Sequence, residues 1–219
     1  MMFFGISITL ILFLIFNRFN LKIPVIASVG VCIILILKIF NIDYQTYYRS
    51  ASILSFMIAP ATIALAYPLY KNYYILLKNK RILYLTLFLA VFVAIISTYL
   101  CAKLFGADYR VLMSLLPKST TMPIALEISK AIDGYQELTA CIVALTGIFG
   151  GVFGHSLLKL IRVKSDIAKG LALGSASHVI GTAACAQRKK YKQVAASTVA
   201  LIVVGLISAI IIPILKNFY

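Results

Sequence analysis

The stretch GLALGSASHVIGTAAC, from Gly170 to Cys185, decides how this chain is read. It is apolar enough to lie within a membrane. Yet Gly170, Gly174 and Gly181 interrupt it, and Ser175, Ser177, His178 and Thr182 stud its middle. A lipid-facing helix does not carry that many helix weakeners and polar side chains. Irregular backbone at membrane depth is tolerated where protein or a water-filled cavity covers it, and such segments often bind ions or substrate. This stretch is therefore the first candidate for an active element.

The rest of the composition agrees with a membrane setting. Of the 219 residues, 62% are hydrophobic and only 12% charged, against about half and a quarter in a soluble domain. The net charge is +15, from 21 Lys and Arg against 6 Asp and Glu. These basic residues sit mostly in short loops between apolar runs, where they set topology and meet anionic headgroups, so nucleic acid is not the expected partner. Cys32, Cys101, Cys141 and Cys185 are scattered singly. They read as small apolar packing residues, and no Cys/His spacing suggests a metal or other cofactor. The first apolar run has no basic residues ahead of it and no small-residue cleavage site, so it reads as a helix rather than a signal peptide.

Six plain apolar runs are predicted as helices: Met2–Phe16, Pro24–Phe40, Ser52–Tyr70, Ile82–Leu104, Leu138–Leu160 and Val194–Leu215. The first spans only about 22 Å and needs neighbours or a thinned bilayer. Asn41–Ser52 reads as a tyrosine-bearing interfacial loop. Pro60 and Pro68 bracket the third run, where prolines kink a helix. Leu112–Ile132 is a second broken stretch, with Pro117, Lys118, Ser119, Thr120, Thr121 and Pro123 at its centre and Glu127 beyond. It is too polar to face lipid.

A shift of 56 residues lays the chain on itself without a gap. Tyr135, Ala140, Val143, Ala144 and Leu145 fall on Tyr191, Ala196, Val199, Ala200 and Leu201, and Ser119 falls on Ser175. Each broken stretch thus precedes one plain helix. If the broken stretches crossed the membrane, the basic clusters at 159–169 and 187–193 would lie on opposite faces. If they dip in and return, both clusters share one face, and Glu127, Asp133 and Glu137 lie on the other. The positive-inside rule favours dipping; two broken crossing helices are the alternative. The predicted fold is an all-α polytopic membrane protein of about six transmembrane helices plus two re-entrant hairpins in an inverted repeat. Residues 1–219 form one membrane domain, with scaffold helices in 1–104 and hairpin-plus-helix repeats in 111–160 and 168–218.

Hairpin tips present backbone groups and hydroxyls suited to a small anion or its coupling ion. Lys118, Ser119, Thr120 and Thr121 supply one tip, and Ser175, Ser177, His178 and Thr182 the other. Together they would satisfy a small carboxylate. His178 and Glu127 are the candidates for a coupling ion, although for Glu127 a plain pairing with Lys130 one turn away ranks above a proton relay. The hydroxyls have a structural use too, as caps of broken helix ends.

At these residues the chain resembles the LrgB/CidB family. LPKSTTMPIALEIS (Leu116–Ser129) and AKGLALGSASHVIGTAA (Ala168–Ala184) look like its two long signature blocks, and APATIALAYPLYK (Ala59–Lys71) and LTGIFGG (Leu145–Gly151) like two others. The resemblance covers nearly the whole chain. Members were first called antiholin-like, being linked to murein hydrolase control and lysis. Plastid relatives export glycolate and glycerate, and some bacterial members are tied to pyruvate uptake, usually with a small LrgA/CidA membrane partner. The resemblance therefore implies small-monocarboxylate transport in a bacterial inner (cytoplasmic) membrane. Two departures stand out. Where the family usually has an Arg and then a Glu after Thr182-Ala, this chain has Ala184, Cys185 and Gln187, and His155 follows Gly154 where the family tends to have proline.

The sequence-based expectation is a secondary carrier for a pyruvate-, glycolate- or lactate-like anion, with the hairpins moving as an elevator against a dimerising scaffold. The alternative is a non-transporting antiholin-like regulator, which needs packing surfaces but no polar midplane. An enzyme is not expected, since HExxH and GxSxG are absent and no Asp/Glu pair stands inside a span.

Overall fold

The structure is a computed structural model that describes residues 4–19, 25–57 and 80–216, with isolated positions between 60 and 74. Every element among the described residues is helical, as the apolar runs predict. Most of the run holding Pro60 and Pro68, and of the basic segment after it, lies outside the described residues. The chain divides into two compact units, 1–64 and 65–219.

In the first unit, α1 (Phe4–Arg18) and α2 (Val25–Ile39) bury Val25, Val29 and Ile33 against Leu12, Phe16, Leu37 and Tyr47. The segment expected to be an interfacial loop contains a helix, α3 (Tyr44–Ser50), followed by the short α4 (Ser52–Phe56). The reason is local. Asp43 caps α3 by accepting the Gln45 N–H at 2.9 Å, and Ser50 Oγ accepts the N–H of Gly5 at 3.0 Å, tying the helix to α1. Gly5 is needed there because a Cβ would meet Ser50 and the Tyr47 carbonyl.

The second unit is built from α5 (Lys80–Leu104), α6 (Tyr109–Leu115), a 3₁₀ turn (Leu116–Ser119), α7 (Met122–Ala131), α8 (Gln136–Leu160), α9 (Asp166–Gln187) and α10 (Tyr191–Lys216). Three helices, α5, α8 and α10, are long and apolar enough to cross a membrane. α5 buries one stripe, Leu83, Leu87, Val91 and Ile95, and leaves Leu85 and Leu89 exposed. Such apolar outer faces suit lipid, and the chain is a membrane protein. α10 is the centre of this unit, with half of its apolar stretch buried against 28% for α5 and 17% for α8.

Both polar stretches reverse the chain. A straight helix of 22 residues would hold the ends of α9 about 33 Å apart. Instead Gln193 Nε2 donates to Asp166 Oδ1 at 2.8 Å, and a Cβ on Gly181 would fall against the Leu173 carbonyl. The reversal sits at His178, whose backbone (φ 42°, ψ −130°) is non-helical. Earlier in the chain, the extended residues Thr120 and Thr121 separate the 3₁₀ turn from α7. There Arg110 Nε donates to the Asp133 carbonyl at 3.2 Å, and Ser114 Oγ accepts the Tyr135 N–H at 2.7 Å. Each stretch therefore enters and leaves at the same end.

The turns that close the two reversals match. Gly134 N–H donates to Ser129 O and Lys190 N–H to Cys185 O, at 2.8 and 3.2 Å. Asp133 and Lys189 carry the left-handed residue of each turn, at φ 57° and 55°. Every pair is 56 residues apart. A long helix follows each time, α8 after the first and α10 after the second, and the two run antiparallel, with His155 near the end of α8 beside Gln193 at the start of α10. Asp133 also accepts a hydrogen bond from Lys216 Nζ at 2.6 Å, which holds its carboxyl below the usual carboxylate range.

Candidate functional site

α8 runs from the open end of the first reversal, where Thr139 Oγ1 lies 2.9 Å from Ser114 O, to the open end of the second, where His155 Nε2 lies 2.9 Å from Gln193 Oε1. The two tips therefore approach one another along α8 from its opposite ends. Close approach is possible because α8 presents glycines to the second tip. A Cβ at Gly150 would fall on Ser177 Oγ, and one at Gly147 would meet the His178 ring. Gly174 does the same service on the far side, where the Ser197 backbone of α10 fills the place of a side chain. Small residues at such a face let helix backbones touch.

Between the tips lies a cavity of about 490 Å³, within the usual size range for small-molecule sites. Lys118 and Ser119 reach it from the first tip, and Ser175 and Ser177 from the second; Thr146 and Gly150 of α8 and Val93 of α5 complete much of its wall. Lys118 Nζ is 3.4 Å from Ser119 Oγ. Among the described residues no Asp or Glu lines the cavity, and their ion pair, Lys216 with Asp133, lies elsewhere. An ammonium so placed, with hydroxyls from two directions, offers a small anion both charge and directional hydrogen bonds.

The other expected residues stand around the cavity without lining it. Thr120 Oγ1 donates to the Pro117 carbonyl at 2.9 Å and Thr182 Oγ1 to the His178 carbonyl at 3.1 Å. Both satisfy carbonyls near the breaks. The Thr121 hydroxyl is buried and has no hydrogen-bond partner. His178 is buried, with Nε2 3.0 Å from the Val143 carbonyl of α8. Glu127 is exposed, in an apolar groove with Ile128, Ala209 and Pro213. Thr146 and Val93 were not among the sequence candidates, because nothing in a plain apolar run marks which turn faces a cavity. The signal available for α8 was its run of glycines, Gly147, Gly150, Gly151 and Gly154.

The family model of the LrgB-like family matches residues 6–218, a length that includes both reversals and the cavity between them. The chain belongs to the LrgB-like family. Among its relatives is the holin-like protein CidB of Staphylococcus aureus (strain N315), 34% identical over 217 residues that cover 96% of this chain and 93% of that protein. The antiholin-like protein LrgB of Bacillus mycoides is 35% identical over 185 residues, 84% of this chain and 80% of that protein. YxaC of Bacillus subtilis, an uncharacterized protein, is 35% identical over 169 residues, 76% and 73% of the two lengths. No solved structure matches the chain. In this LrgB-like protein, Ala184 and Cys185, which depart from the family pattern, are buried in the returning half of α9 and do not line the cavity.

Proposed function

We propose that this LrgB-like protein is a secondary carrier of small monocarboxylates such as pyruvate, glycolate or lactate, without a catalytic step. The observation that carries this reading is Lys118, with no carboxylate beside it, facing Ser175 and Ser177 across a cavity large enough for such an anion. A cation in that position is stable when an anion completes it.

The two reversals act in this reading as re-entrant hairpins that enter the membrane from opposite faces and form an inverted repeat. The matched turns 56 residues apart support it, as does the clustering of Lys164, Lys169, Arg188, Lys189 and Lys190 around one end of α8. With α1, α2 and the apolar run 52–70 counted beside α5, α8 and α10, the chain then holds about six transmembrane helices in the bacterial inner membrane. Alternating access follows if the hairpins move as an elevator against the first helices, which would dimerise or hold a small LrgA/CidA-type partner.

The test is uptake of labelled pyruvate, glycolate and lactate into proteoliposomes, with and without the partner. Lys118→Ala removes charge-assisted hydrogen bonds and is expected to lower uptake about 10- to 100-fold. Uptake that is unchanged in that variant removes the cavity from the mechanism. The names of the relatives, holin-like and antiholin-like, favour a second reading, a non-transporting regulator of murein hydrolase activity and lysis. Absence of uptake under every gradient and partner condition would decide for it.

A further inference from the structure

A second polar cluster lies at the open end of the later reversal, away from the residues assigned to the substrate. Gln193 is 2% exposed and bridges two other side chains. Its Nε2 donates to Asp166 Oδ1 at 2.8 Å, and its Oε1 lies 2.9 Å from His155 Nε2. The carboxylate can only accept, so it sets the amide's orientation, and the amide oxygen in turn requires a proton on His155 Nε2. That leaves Nδ1 of a neutral ring as a bare lone pair. Nδ1 is buried and has no hydrogen-bond partner.

We propose that His155 is the proton-binding residue of this protein, taking a proton at Nδ1 and passing its charge state through Gln193 and Asp166 to the outgoing half of α9. The coupling part rests on the carrier reading; the proton-binding part does not. Three observations carry it. The acceptor is already oriented and vacant. Gly154, the residue before His155, lines the cavity, so ring and substrate share one turn of α8. Asp166 starts the arm that ends in Ser175 and Ser177, so the link runs from the ring to the anion's hydroxyls along one helix.

The electrostatic surroundings make the proton count. Lys169 on the same arm and Arg188 in the following turn bring positive charge to the ring. Asp166 supplies negative charge across Gln193, with Lys169, Lys190 and Lys192 about it. A proton on Nδ1 creates a buried donor with no acceptor, which the closed arrangement tolerates poorly. The ring must then turn or the Gln193 contact must open. In the carrier, a proton from solvent binds Nδ1 on one face and leaves Nδ1 on the other, and one monocarboxylate anion moves with it without net charge. The candidates marked by the sequence are less suited, since His178 is engaged with Val143 and Glu127 lies outside the cavity.

Two measurements test this independently. The chain has only 2 histidines, so nitrogen-15 histidine spectra of the purified protein can be assigned with His155→Gln. The expected spectrum shows the Nε2–H tautomer at neutral pH, converting to the doubly protonated ring on acidification. A ring protonated on Nδ1 at neutral pH, or one that takes no second proton before the protein unfolds in acid, overturns the proton site. In proteoliposomes, an inward gradient of about one pH unit should support up to about tenfold accumulation of labelled pyruvate by the wild type. His155→Gln should abolish this accumulation yet keep pyruvate counterflow within about twofold. Accumulation that persists in the variant overturns the coupling. A wild type that moves none of the three anions sinks the carrier reading and the coupling with it, and the spectra alone then decide the proton site.

Discussion

At the scale of single residues, His178 shows how a polar side chain in an apolar stretch can be there for the backbone. Its φ of 42° lies where glycine is the comfortable residue, and a side chain held there costs on the order of 1–3 kcal/mol. The ring's contact with the Val143 carbonyl offsets part of that cost. Both His178→Gly and His178→Ala lose the contact, but only the glycine variant also loses the strain. His178→Gly is therefore expected to be more stable than His178→Ala by about 1–2 kcal/mol, measured by chemical denaturation in detergent. Equal stabilities would show that the tip relaxes when the ring is gone. The same residue marks a limit of sequence reading. A histidine among serines and glycines signals something unusual, but ligand, proton site and strained turn residue look alike until the partner carbonyl, 35 positions away, is in place.

At the scale of elements, the length of α9 misleads while its composition does not. Twenty-two residues of apolar sequence could cross a membrane. The doubled-back path instead places Asp166 beside Gln193. A cysteine pair, Asp166→Cys with Gln193→Cys in a background without the native cysteines, should cross-link through a short thiol reagent within one molecule. A straight α9 would leave the pair unlinked. The all-helical character and the two broken stretches were legible because periodicity, glycine and proline are local signals. The helix α3 was not, since its stability comes from the Asp43 cap and from packing of Tyr47 and Ser50 on α1. Nor was the His155–Gln193–Asp166 bridge, which joins three elements at separations that no pattern marks.

At the scale of the whole molecule, the proposed inverted arrangement makes a sidedness prediction. Single cysteines at Lys164 and Lys189 should react with an impermeant thiol reagent from one side of the membrane, and a cysteine at Asp133 from the other. Labelling of all three from one side would contradict opposed hairpins. The charge pattern is the sequence signal on which this proposed topology rests, because short loops carry the basic residues. Which hydroxyls reach the cavity was not readable, because Ser and Thr next to a helix break serve equally as caps.

The contact between α9 and α10 has a mechanical consequence. Gly170 lies against the Gln193 backbone and the Ala196 methyl, and Gly174 against the Ser197 backbone, so at these two points nothing longer than a methyl stands between the helices. Side chains can act as bearings, changing rotamer as one helix slips past another. At Gly170 and Gly174 there is only the Ala196 methyl, so sliding there would drive one peptide chain into the next. The outgoing half of α9 and the first turns of α10 must travel as a single stiff lever, and a displacement of Ser177 at one end is felt at Gln193 on the other.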